Sequence, residues 1–294
     1  MKKKVIVLLT GLLLLGGCFN INEKTEQEKA QKKAQEGTTP VQDYVGQGYS
    51  FVDGNKSTEQ VKKHEEEIKQ VAIDYMKTKY KTNVKVNNVV PARKAAVVIV
   101  ECEEPIQFTT SVVVGLILNK DEVGSAHEEE GEVEQAIVGG LYAKAFEKEF
   151  RHLDELTEKV AMKNDLVGYK QEALDKTSPN GYQGKYYFVS LGFKEYLSVY
   201  NAYLNKQEIS ANELQALFRK DDPTGEKMTI ALRFFMKEDK LPTQEFVDNI
   251  AEKLLQESSL PKAIYLITIY KNSIVNRVGL PDGENTSIEV LKSN

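Results

Sequence analysis

The sequence predicts an α+β fold with antiparallel sheets and packed helices, and three observations carry that expectation. Apolar residues recur at helical spacing in some segments and alternate with a period of two in others. The segments come in blocks rather than in the strand–helix alternation of doubly wound sheets. A helix followed by three strands occurs twice, from Ser57 and from Thr243, which raises two α-β-β-β-type subdomains within residues 41–294, divided near 165–180.

Residues 1–17 read as a signal rather than as part of the fold. Lys2, Lys3 and Lys4 form a basic n-region, Val5 to Leu15 an apolar stretch, and Gly16-Gly17 lead into Cys18. This is the layout of a bacterial lipoprotein signal. Val5 to Gly17 falls short of the roughly 20 residues a spanning helix needs. Cleavage is expected between Gly17 and Cys18, with the Cys18 thiol taking up diacylglycerol. Two acyl chains anchor a protein stably where one does not. The expected location is therefore the extracytoplasmic face of a cell membrane, with the bilayer as partner through Cys18. The chain carries a net charge of −5, with 39 basic and 44 acidic residues. Loss of the three leader lysines takes it to −8, which argues against nucleic acid as a partner.

Residues 18–40 are polar, rich in Glu, Lys and Gln, and cannot bury enough apolar surface to order themselves. They read as a tether reaching on the order of 25 Å as a flexible coil. Tyr44-Val45-Gly46-Gln47-Gly48-Tyr49-Ser50-Phe51 follows. Gly46 and Gly48 begin a G-x-G-x-x-G pattern, but position 51 is Phe and no strand precedes, so the segment reads as a lead-in that packs its aromatic rings on the domain.

Ser57 to Gln60 has the S-x-x-Q pattern of a capping box. The helix it opens is expected to run to about Tyr80, with Val61, Ile68, Ala72, Tyr75 and Met76 inward. Three strands follow: one bearing Val84, Val86 and Val90, a continuous apolar run over 95–100, and the alternating stretch from Ile106 to Leu118. The acidic stretch 121–134 leads into a long helix over 132–162, within which Gly139-Gly140 suggests a bend or a close approach. Residues 163–179 read as irregular or a short helix, 185–191 as a strand and 193–204 as a helix. Ser210-Ala211-Asn212-Glu213 is a second capping box, and Asp221-Asp222-Pro223-Thr224-Gly225 a strong turn. A strand over 227–236, a helix over 243–256, a buried strand over 263–270 and edge strands over 273–278 and 286–291 complete the chain.

Chemistry-bearing residues are sparse. Cys102 ends an apolar run beside Glu101, Glu103 and Glu104, the wrong charge to activate a thiolate, so it reads as a small core hydrophobe. His64 and His127 each precede three glutamates, but neither has the second histidine of H-E-x-x-H, and no EF-hand register exists. An oxygen-rich cation site at His127 is weighed against acidic residues that complement a helix N-terminus, and the latter is favoured. Ser259-Leu260-Pro261-Lys262 matches the S-x-x-K of penicillin-interacting enzymes, and Ser178-Pro179-Asn180 imitates their S-x-N. That motif must open a helix, whereas Pro261 leads into a strand, and no K-T-G exists. Tyr196, Tyr200 and Tyr203 share a helix face, read as core packing. No catalytic residue, metal ligand or cofactor is expected.

The stretch from Tyr44 to Tyr49, the capped helix after it and Ala95-Ala96-Val97-Val98-Ile99-Val100 resemble lipoproteins of low-GC Gram-positive bacteria that carry the domain of unknown function 1672. The resemblance extends over the mature chain. It implies a membrane-anchored lipoprotein and carries over no catalytic residue. The function expected is a noncatalytic binding or interaction module at the cell envelope, with an envelope protein or polymer as partner. A carboxylate-dependent hydrolase of envelope polymers and a solute-capture protein are the alternatives.

Overall fold

A computed structural model describes residues 37–292. The signal segment, the Gly17–Cys18 junction and residues 18–36 of the expected tether lie outside the described residues. Within the expected tether, residues 38 and 39 already form a paired strand. Thr38–Thr39 (β1) pair with Ile274–Val275 (β10), which pair in turn with Leu280–Pro281 (β11). Among the described residues no helix is long and apolar enough to cross a membrane.

The first block differs from expectation at both ends. A 3-10 turn over Gly54–Ser57 leads into Thr58–Lys63 (α1), which breaks at His64 before Glu65–Tyr80 (α2). Ser57 does not cap the helix: its hydroxyl accepts from the Lys94 backbone N–H at 3.2 Å, across to the next hairpin. Val61, Ile68, Ala72 and Met76 are buried as the helical spacing requires. Four strands follow, not three. Lys85–Ala92 (β2), Ala95–Cys102 (β3), Phe108–Ile117 (β4) and Glu122–His127 (β5) form an antiparallel meander in that order. β5 exposes its termini and buries no residue fully, so it lacks the apolar alternation that marks β4.

The expected 132–162 helix is two helices, Glu132–Ala145 (α3) and Glu147–Lys163 (α4), hinged at Phe146. α3 is buried almost all round, and it packs on β4 on one side and on Tyr187–Leu191 (β7) on another. Its two glycines play different parts. A Cβ at Gly140 would lie 2.6 Å from the Gln107 carbonyl oxygen, while Gly139 has ordinary contact distances.

Leu166–Val167 (β6) and the short helix Gln171–Thr177 (α5) occupy the stretch expected to be irregular or a short helix. A 3-10 turn at Phe193–Tyr196 opens Leu197–Asn205 (α6), and Ala211–Asp221 (α7) follows. Here the predicted capping box is present: Ser210 accepts from the Glu213 N–H, and Glu213 accepts from the Ser210 N–H. The second sheet has the order β12-β9-β8-β6, with β7 pairing β8 beside β6. Met228–Met236 (β8) and Ala263–Tyr270 (β9) run parallel, joined through Gln244–Leu255 (α8), while Asn285–Lys292 (β12) is antiparallel to β9. Parallel neighbours need a crossover connection, which α8 supplies. The second helix-and-strands block is thus a mixed sheet, unlike the first meander. One hydrophobic core runs through both blocks, from Ile68 and Val100 through Ile137 to Ile230 and Ile267. A smaller cluster joins Val41 and Tyr44 to Tyr169, Phe235 and Ile274.

Candidate functional site

A cleft of about 450 Å³ opens where the end of α3, the start of α4, the end of α7 and the loop between α8 and β9 meet. That volume suits a small ligand. Its floor is aromatic. Tyr142 and Phe218 ring centroids are 5.0 Å apart at 76°, and Phe146 and Tyr196 extend the cluster at 4.8 Å from Tyr142 and 5.5 Å from Phe218. These four rings converge because Tyr142 and Phe146 are four apart at the α3–α4 hinge, one turn of helix.

Two of the phenols are tied down. The Tyr142 hydroxyl donates to the Lys262 carbonyl at 2.5 Å, pinning the α8–β9 loop to the central helix. The Tyr196 hydroxyl donates to Asp222 Oδ2 at 2.9 Å. Burial pushes both phenols well above their ordinary range, so they stay protonated donors. Asp222 is occupied as a turn anchor. Its Oδ1 accepts from the Gly225 and Glu226 N–H groups at 2.9 and 3.2 Å, and its Oδ2 accepts from the Lys227 N–H at 3.0 Å. With the Thr224 hydroxyl also donating to Oδ1 at 3.5 Å, five donors leave that carboxylate no capacity to spare. The lining carries Lys148, Arg219 and Lys262 against Glu149 and Asp222, an excess of one positive charge on an acidic chain.

The cleft gathers some of the sequence candidates and separates others. Ser259 and Lys262 both line it, but in the loop between α8 and β9, where no helix starts. The S-x-N segment lies elsewhere. Ser178 is buried and its hydroxyl donates to Gln183 Oε1 at 2.7 Å, while Pro179 and Asn180 line a different cleft of about 210 Å³. The S-x-x-K reading therefore has neither its helix nor its partner. Cys102 is fully buried, and burial pushes its thiol up to about 11. Tyr196 and Tyr203 are core residues, as their spacing suggested. His64 sits at the α1–α2 break, 3.2 Å from both Glu67 and Asp121 carboxylate oxygens. His152 faces Glu257 at 3.4 Å, and His127 lies on β5. Among the described residues no group of three His, Cys, Asp or Glu side chains could hold a metal ion.

The strand expected over 227–236 carries a residue that periodicity alone does not single out, Arg233. It is 7% exposed and is the single buried charged residue among those described. Its guanidinium carbon lies 4.5 Å from the Phe188 ring centroid and 5.2 Å from that of Tyr169, while Nε and Nη2 have no hydrogen-bond partner among the described residues. Two cation–π contacts return about 0.5–2 kcal/mol each, whereas each buried unsatisfied donor costs about 1–3 kcal/mol. Packing alone does not favour this arrangement. The available signal was a lone arginine in an otherwise apolar strand, Met228-Thr-Ile-Ala-Leu-Arg-Phe-Phe-Met236.

The class defined so far is an α+β protein of two sheets around a buried helix, with an aromatic cleft at one end of that helix. The family can be named. A model describing a protein of unknown function (DUF1672) matches residues 31–293, and the chain belongs to that family. Its fold is similar to the crystal structure of a DUF1672 family protein from Staphylococcus aureus subsp. aureus Mu50, with a TM-score of 0.71 and 20% identity, covering 88% of this chain and 98% of that one. No curated protein matches.

Proposed function

We propose that the chain is a lipid-anchored, noncatalytic binding module on the extracytoplasmic face of the cell membrane, and that the aromatic cleft is its ligand site. The anchoring half of this reading rests on Leu15-Gly16-Gly17-Cys18 behind a basic, apolar leader. The binding half rests on the cleft: a floor of edge-to-face and tilted rings for an apolar or sugar face, and Lys148, Arg219 and Lys262 for a negative group. The ligand class is an anionic envelope component with one flat face. A hydrolase is the second reading, favoured by Glu149 and Asp222 lining one cleft. Asp222 is already saturated with donors, which leaves Glu149 as the carboxylate free to act.

Two experiments test this. Cys18→Ala should abolish palmitate incorporation and release the protein from the membrane fraction. Retained label in that variant would refute the anchor. A thermal-shift screen of the protein should run wall fragments, oligosaccharides, peptides and small solutes against wild type and Lys262→Glu. A ligand at 100 times its dissociation constant stabilises by about 2.7 kcal/mol, roughly 5–10 °C at this size. One class should shift the wild type and lose its effect in the variant. No shift from any class would refute a small-ligand cleft, and product formation lost in Glu149→Gln would establish the hydrolase instead.

A further inference from the structure

We infer that Arg233 is a binding residue for a ligand carboxylate, at a second site that shares no residue with the aromatic cleft. Its two orphaned donors are the two that matter. Nε–H and one Nη2–H run parallel along one edge of the guanidinium plane, the fork that a carboxylate engages with both oxygens. The side chain is 7% exposed and has no ion pair among the described residues, so that edge is unpaired but shielded from solvent, with the Tyr169 ring over the guanidinium.

The neighbourhood selects the shape of the anion. Phe188 and Tyr169 lie against the guanidinium, and Thr268 is the cross-strand neighbour on β9. A planar carboxylate presents two oxygens to two donors. A tetrahedral phosphate would bring further oxygens against ring faces that offer no donor. The access side is also defined. Arg233 sits where β8 passes from pairing with β7 to pairing with β6, its N–H donating to the Tyr186 carbonyl. A separate cleft of about 500 Å³ adjoins that junction, lined by Tyr169, Tyr186, Lys170, Lys185 and Glu158, the last paired with Lys185 at 3.3 Å. Tyr169 is the wall between this cleft and the fork, and Lys170 and Lys185 outnumber Glu158, which leaves the mouth cationic by one charge. The ligand carries its carboxylate past that ring.

The test uses the full chain in detergent, with benzoate as probe, benzamide as its neutral isostere and inorganic phosphate as the tetrahedral anion. Benzoate should raise the melting temperature of wild type saturably, with no effect of benzamide or phosphate. Arg233→Met should lose the benzoate response while melting at or above the probe-free wild type, because it replaces an unpaired buried cation with an apolar side chain of similar length. Arg233→Lys keeps the charge without the fork and should weaken the response at least tenfold. No benzoate shift in wild type overturns the proposal. So does an Arg233→Met that melts lower with its benzoate response intact, which is the result a purely structural stacking role gives. A shift with phosphate in place of benzoate overturns the carboxylate assignment.

Discussion

Adjacent glycines in α3 should respond oppositely to the same substitution. Gly139→Ala adds a methyl whose nearest neighbours are the Tyr182 nitrogen at 3.7 Å and the Tyr182 and Val189 Cβ atoms at 3.9 Å, ordinary contact distances. Alanine is favoured over glycine in a helix by about 0.5–1 kcal/mol, so this variant should gain about that much. Gly140→Ala gains the same propensity but places its Cβ 2.6 Å from the Gln107 carbonyl oxygen and 3.4 Å from that carbonyl carbon. The obstacle is backbone, in the segment that leads into β4, and cannot rotate away. Overpacking of this kind costs about 1–3 kcal/mol, so the net effect is a loss of about 1–2 kcal/mol. Because the propensity gain is common to both, the two variants should differ by the overpacking cost, about 1–3 kcal/mol, or roughly 2–12 °C in melting temperature for a chain of this size. Thermal and urea melts of both variants beside wild type measure it. A Gly140→Ala protein that melts with or above Gly139→Ala would refute the close approach of α3 to β4.

Phe218→Ala removes the ring that touches Tyr142, Phe146 and Tyr196, and should cost about 3–5 kcal/mol by urea unfolding. A loss below 1 kcal/mol would show that the cleft floor is not packed as described. Ser210→Ala deletes a capping hydroxyl and should cost about 1 kcal/mol, with no loss if the cap is decorative. The Glu213 carboxylate is held at about 2 by the Ser210 N–H and hydroxyl and by Lys206, below its unfolded value of about 4.3. Its contribution is therefore present above the unfolded value and is lost as pH falls through about 2. The stability difference between wild type and Glu213→Gln should shrink over that window, and a pH-independent difference would contradict the assignment. With its thiol near 11, Cys102 should alkylate slowly at pH 8 in the native protein and rapidly in urea; equal rates would place it at the surface.

Where local chemistry decides, the reading from sequence and the structure agree. Ser210 and Glu213 meet within one turn, and Asp222 reaches backbone only three to five residues ahead, so both features form from neighbours already present in the chain. Ser57 shows the opposite case. It has the same local pattern as Ser210, but a hairpin folding back from Lys94 offers its hydroxyl a different donor. The cleft was legible in pieces only. The tyrosine at 196, the turn at 221–225 and the segment Ser259–Lys262 each stand out locally, yet nothing local says that they meet at Tyr142, and the motif at Ser259 fails for the same reason.

The sequence by itself determined the helix and strand segments with strong periodicity, the α+β class, the second capping box and the burial of Cys102, because side-chain spacing and short-range hydrogen bonds are properties of contiguous residues. Tertiary structure alone decided four things. β5 is a strand because β4 offers it an edge, despite its polar composition. α3 is enclosed because two sheets close over it. β8 and β9 run parallel because α8 carries the chain across. Arg233 is buried because Phe188 and Tyr169, which come from two other segments, settle on the same face of β8. Each depends on which distant segment supplies the neighbouring surface, and periodicity within one segment carries no information about that choice.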